Sequence, residues 1–228
     1  MFDLKQVTKI YPLDGTNRVT AVRELSLSVK RGEFVVIAGR SGSGKTTVLN
    51  LIAGLTRPTA GCVEHDGVDL WSLPDREQSA LRNWKMGFVF QFPSLLPSLT
   101  TLENVLLPVI FRPAPDRNEV ADQAVKLLDM VGLADKLTAL PRQLSAGQQQ
   151  RVVIARSLIN EPEILMADEP TSNLDDQTER EIMATFEKIH SLRGVTVVMV
   201  THSRYSGTRG ARTIEMAEGR IVKESHTS

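Results

Sequence analysis

The sequence has 228 residues, 41% of them hydrophobic and 24% charged, a composition that folds rather than one that stays disordered. Lys+Arg and Asp+Glu both number 27, so the formal net charge is zero and no overall basic footprint for nucleic acid exists. A single cysteine, Cys62, excludes an internal disulfide, and no Cys/His cluster has metal-ligand spacing.

One domain over residues 1–228 is expected, with no linker that would split it. The first eleven residues carry Asp3, Lys5 and Lys9 rather than an apolar signal core, so a secretory leader is not expected. No run of about 18 apolar residues predicts a membrane span. Asp3-Leu4-Lys5-Gln6-Val7 and Leu25-Ser26-Leu27-Ser28-Val29 alternate, as half-buried strands do. Phe34-Val35-Val36-Ile37-Ala38 is a continuous apolar run, which predicts a strand covered on both faces. A helix is expected over residues 46–53, ended by Gly54. Another is expected over residues 118–131, where Val120, Ala124, Leu127, Leu128 and Val131 share a face and Gly132 follows. Buried strands return at residues 164–167 and 195–200. Between them Ile182, Phe186, Ile189 and Leu192 predict one apolar helical face. Glu218-Gly219 suggests a hairpin. Strands alternating with helices indicate an α/β fold with a parallel sheet.

Gly39-Arg40-Ser41-Gly42-Ser43-Gly44-Lys45-Thr46 has the spacing of a phosphate-binding loop, between a buried strand and a helix. Glycines let several backbone N–H groups converge on one anion, and a helix N-terminus adds partial positive charge. Lys45 is expected to reach the β- and γ-phosphates, and Thr46 to ligate Mg²⁺. Thr47 completes the candidate nucleotide-binding set.

Ile164-Leu165-Met166-Ala167-Asp168-Glu169 is an apolar strand ending in two carboxylates. In a parallel sheet such an end faces the ligand, so Asp168 is expected on Mg²⁺ and Glu169 on an attacking water. Leu144-Ser145-Ala146-Gly147-Gln148 opens a helix running to about residue 160, with Ser145 as N-cap. Gly147 in a first helical turn costs stability unless close approach requires it.

With these motifs in this order, the chain resembles the nucleotide-binding subunit of ABC transporters over essentially its whole length. The resemblance implies a P-loop NTPase (RecA-like) core with an N-terminal antiparallel β subdomain and an inserted α-helical subdomain, roughly residues 92–160. It implies that Tyr11 stacks on adenine and that residues 39–46 are the Walker A loop. Gln91, after a strand at residues 86–90, matches the Q-loop glutamine that contacts Mg²⁺ and water. Ser145, Ala146, Gly147 and Gln148 fall in the signature, Asp168 and Glu169 in Walker B and the catalytic position. Asp175 lies in the D-loop, and His202 is the switch histidine. Two departures stand out: Ala146 where the signature has glycine, and Ser203 where Asp commonly follows the histidine.

By the same resemblance, two copies form an ATP-dependent head-to-tail homodimer. Each dimer site binds MgATP between the Walker A loop of one copy and the signature of the other. Catalysis would then rest on Glu169, His202, Gln91 and Lys45. No nucleic-acid partner is implied.

Phe92 to Phe111 carries one charge, Glu103, with Leu95, Leu96, Leu99, Leu102, Val105, Leu106, Leu107 and Ile110. These side chains either complete the helical subdomain's core or receive a membrane partner. The run from Phe90 to Val105 resembles one branch, the ATPases of lipoprotein release, macrolide export and the cell-division complex. That branch implies a permease with four membrane helices and a large extracytoplasmic domain. It also implies a peripheral place on the cytoplasmic face of the inner membrane. The alternative is an ABC ATPase of iron–sulfur cluster assembly, without a permease.

Overall fold

The computed structural model describes residues 1–13, 17–112, 116–202 and 210–226. The strands and α-helices run β1 (Phe2–Pro12), β2 (Arg18–Val29), β3 (Phe34–Gly39), α1 (Lys45–Ile52), β4 (Ala60–His65), β5 (Val68–Asp69), α2 (Asp75–Lys85), β6 (Met86–Val89), α3 (Thr101–Leu106), α4 (Arg117–Met130), α5 (Ala146–Leu158), β7 (Ile164–Asp168), α6 (Asp176–Arg193), β8 (Thr196–Thr201), β9 (Arg212–Ala217) and β10 (Arg220–His226). Two compact units divide the chain: Met1–Arg82 with Thr196–Ser228, and Asn83–Val195.

The first unit holds an antiparallel sheet in the order β2-β1-β4-β5. Its alternation buries Phe2, Leu4 and Val7 on β1 and Leu25, Leu27 and Val29 on β2. The β1–β2 register shifts between Leu4 and Val7, where Gln6 has a φ of 48°, a bulge the alternation does not announce. The unit's other strands run in the order β10-β9-β3-β8, with β3 parallel to both β8 and β9. Phe34, Val35, Val36 and Ile37 on β3 and Val197, Val198, Met199 and Val200 on β8 are all buried, as their unbroken apolar runs predict. Helix α1 adds Val48, Leu49, Leu51 and Ile52 to this core. The expected hairpin is β9–β10, turning at Glu218-Gly219.

In the second unit β6 and β7 are parallel neighbours. Helices α3, α4, α5 and α6 bury Val105; Val120, Ala124, Leu127 and Leu128; Val152, Val153 and Ile154; and Ile182, Phe186 and Ile189. The first turn of α3 is a capping box: Thr100 and Glu103 satisfy each other's backbone N–H. One expectation needs correcting. Leu192 is 65% exposed, whereas Met183 is buried. At about 100° per residue, Met183 extends the apolar stripe to one side and Leu192 falls beyond its other edge. Gly194, at a φ of 62°, then ends the helix.

The apolar segment is buried only in part. Val105 and Val109 are buried, while Phe92 is 66% exposed and Ile110 and Phe111 are each 73% exposed. Buried Asn104 organises the stretch before α3. Its Oδ1 accepts from Leu96 N at 2.8 Å, and its Nδ2 lies 3.0 Å from the carbonyls of both Leu99 and Thr100. That role has no sequence signature, because it depends on where the preceding loop returns.

Candidate functional site

In the first unit the phosphate loop leaves β3 and enters α1 through Gly44, whose φ of 99° suits glycine. Space matters as much as angle here. A Cβ on Gly44 would lie 2.2 Å from the Ala21 carbonyl oxygen on β2. The loop is also held from the hairpin, where Gly219 N donates to Ser43 O at 3.1 Å. Gly219 O in turn accepts from Arg23 N at 2.9 Å. Sequence reasoning found the hairpin and the loop but not that one braces the other.

Lys45 is 4% exposed. Its ammonium donates to the carbonyls of Gly39 at 2.9 Å and Arg40 at 3.1 Å, which keeps a positive charge inside the loop. No side chain caps the N-terminus of α1, the end of a helix whose dipole favours an anion. The Ser43 hydroxyl is buried with no hydrogen-bond partner among the described residues. A buried hydroxyl without a partner costs stability, and a phosphate oxygen would satisfy it. Arg40, Ser41, Gly42 and Thr46 are exposed along the loop, and Thr47 is half-buried on α1. Tyr11 is half-buried on β1, with the Lys9 ammonium 4.9 Å from its ring centroid. His202 is exposed one residue after β8. Ser203 lies outside the described residues.

In the second unit Asp168 ends β7 and Glu169 follows at a φ of 46°. A non-glycine residue at such an angle carries backbone strain, which concentrates at functional sites. Gln91 is half-buried just after β6. Its surroundings are pinned from α5: buried Gln150 donates through Nε2 to Phe90 O at 3.2 Å, and Arg156 to Ser94 O at 2.7 Å. Burial pushes the Arg156 guanidinium below its ordinary value. Neither Gln150 nor Arg156 was found by sequence reasoning, since a polar residue within a helix carries no sign of its distant acceptor.

Ser145 caps α5 through a full capping box. Its hydroxyl accepts from Gln148 N at 3.2 Å, and Gln148 Oε1 accepts from Ser145 N at 2.9 Å. Ala146 is exposed and Gly147 buried. Asp175 caps α6, accepting from Gln177 N at 3.1 Å, Thr178 N at 3.0 Å and the Thr178 hydroxyl at 2.6 Å. The Thr178 hydroxyl bond, with the backbone bonds, holds the Asp175 carboxyl below its ordinary 3.8. A lowered folded-state pKa stabilises the fold above the ordinary value and loses that contribution as pH falls through the lowered one. Asn also caps well but does not titrate. Asp175→Asn is therefore expected to make the thermal midpoint fall less steeply than in the unsubstituted protein below about pH 4. Parallel acid limbs in a melting series from pH 6 to 3 would contradict this.

Thr46 in the first unit, and Gln91 and Asp168 in the second, each carry an oxygen donor of the kind a small hard cation takes. The phosphate loop and Thr46 belong to the first unit, and the acidic pair, Gln91 and the signature segment to the second.

A profile of the ABC transporter family matches residues 22–172. The chain belongs to this family. The match takes in the phosphate loop, Gln91, the signature segment and the acidic pair. The chain is 43% identical over 219 residues to the lipoprotein-releasing system ATP-binding protein LolD 1 of Chlorobium chlorochromatii, across 96% of this chain and 89% of that one. It is 41% identical over 225 residues to the macrolide export ATP-binding/permease protein MacB of Rhodopirellula baltica, across 98% of this chain but 33% of that protein. A solved dimeric ATP-binding cassette, in a post-hydrolysis state bound to ADP and Pi, aligns with a TM-score of 0.89 at 43% identity over 100% of this chain and 99% of that one.

As an ABC transporter ATP-binding subunit, the chain has the P-loop NTPase fold and is an ATP-binding ATPase. The iron–sulfur assembly alternative gains no support from these relatives. Among the described residues, no helix is long and apolar enough to cross a membrane.

Proposed function

We propose that this ABC subunit works as one nucleotide-binding domain that powers lipoprotein release or closely related export through a separate permease. The observation that carries this reading is the 43% identity to LolD 1, which extends over 89% of that protein. The permease would have four membrane helices and a large extracytoplasmic domain. It would hold the subunit peripherally on the cytoplasmic face of the inner membrane. The exposed Phe92, Ile110 and Phe111 supply apolar surface suited to such a partner.

Within a homodimer, Tyr11 stacks on adenine and residues 39–47 hold the phosphates, with Lys45 on the β- and γ-oxygens. Thr46, Gln91 and Asp168 hold Mg²⁺, which when bound neutralises charge on the phosphate oxygens. Glu169 orients and deprotonates the attacking water. His202 binds the γ-phosphate and the charge that develops on it. Ser145, Ala146, Gly147 and Gln148 of the second copy close the site with Asp175 beside them. Positioning and electrostatics do most of the work in such a transfer. The buried Lys45 and the partnerless Ser43 hydroxyl support this use of the loop.

The test is recovery of the tagged full chain from detergent-solubilised membranes of its host, with MgATP present. A co-purifying permease with four membrane helices is expected. A six-helix permease would overturn the export branch, and recovery of soluble partners alone would overturn the transporter reading.

A further inference from the structure

The glycine at position 147 has a cause inside the subunit. Gly147 is buried in the first turn of α5. A Cβ built on it would lie 2.4 Å from Cγ2 of Thr178 on α6, and its next neighbours, also atoms of Thr178, stand at 3.8 and 4.0 Å. One methyl group thus excludes every side chain from position 147. That methyl cannot swing aside freely. Threonine has few χ1 wells, and the rotamer is fixed by the 2.6 Å bond from the Thr178 hydroxyl to Asp175. The same Asp175 accepts from Thr178 N, so the start of α6 and the start of α5 are locked through one threonine.

We propose that Thr178 is a positioning residue of the ATPase: its methyl seats the first turn of the signature helix and its hydroxyl seats the loop carrying Asp175. This rests on the signature reading given above. A side chain at 147 would meet Thr178 within its own subunit before any nucleotide is bound. An alanine at 147 needs the two helices to part by about 1 Å to restore ordinary contact from 2.4 Å. Misplacement of that size costs up to roughly 100-fold in a reaction that depends on positioning.

The test is a rescue experiment on the full chain, read by MgATP turnover and thermal midpoint. Thr178→Ser removes Cγ2 and keeps the hydroxyl bond to Asp175. Gly147→Ala is expected to lower both turnover, by about 10- to 100-fold, and the midpoint. The double variant Gly147→Ala/Thr178→Ser is expected to recover both, with turnover within about threefold of Thr178→Ser alone. Where Gly147→Ala does not fold, folding of the double variant carries the same support, and failure of both to fold overturns the proposal. Recovery of the midpoint without recovery of turnover overturns it too, and assigns the glycine to nucleotide approach. A midpoint that falls and recovers while turnover never changes overturns the positioning role together with the signature reading beneath it.

Discussion

Glu169→Gln is expected to lower ATP turnover by about 10²- to 10⁴-fold while nucleotide still binds, the range that a positioned base supplies. Glutamine keeps the shape of the side chain and loses its capacity to take a proton. The substitution leaves untouched what the backbone already does at this position, a φ of 46° directly after the buried strand β7. The strained turn still presents a side chain after Asp168, but one that cannot deprotonate water. An ATP-bound dimer should then accumulate, because the step that dissolves it is blocked. Gel filtration with MgATP, beside a phosphate-release assay, reads both effects. Turnover within threefold of the unsubstituted protein would remove Glu169 from the mechanism. A variant that hydrolyses slowly yet elutes only as monomer would instead weaken the head-to-tail dimer.

Lys45→Ala is expected to weaken ATP binding by roughly 10- to 100-fold, the worth of a charge-assisted hydrogen bond to phosphate. Lys45 is 4% exposed and its ammonium is bonded to the carbonyls of Gly39 and Arg40, so the substitution removes a charge from within the loop. A general loss of fold is separable from this effect. The thermal midpoint without nucleotide should change little beside the loss of the ATP-induced rise, which reports affinity directly. An unchanged dissociation constant in a fluorescence titration would contradict the assigned contact.

The parts of the fold and site written in contiguous residues were legible in the sequence. The unbroken run of β3 and the loop after it, the strand ending in Asp168 and Glu169, and the Ser145 cap all depend on near neighbours. What escaped depends on long-range return of the chain. Nothing near Gly44 in sequence shows that Ala21 O fills the space its Cβ would need. Gln150 and Arg156 look like ordinary polar helix residues until their acceptors at Phe90 and Ser94 are in place. Gly147 signals a close approach in the sequence, but nothing beside it shows that Thr178 Cγ2 would lie 2.4 Å from its Cβ. Leu192 fell just off its helix's apolar stripe, where periodicity alone cannot decide how wide the core beneath it is.

The brace on the phosphate loop also sets an order of events during synthesis. Strand β3 takes its two sheet neighbours, β8 and β9, from residues 196–217, and Gly219 grips the loop at Ser43. A nascent chain that has left the ribosome only as far as Glu169, just past β7, already carries every phosphate-loop residue and both acidic groups. It lacks the strands that flatten β3 into a sheet and the turn that clips the loop into shape. Pairings so distant in sequence form late, after their long loop-closure cost is met. The phosphate loop of this protein thus gains its sheet neighbours and its clip only once residues 196–219 have been translated.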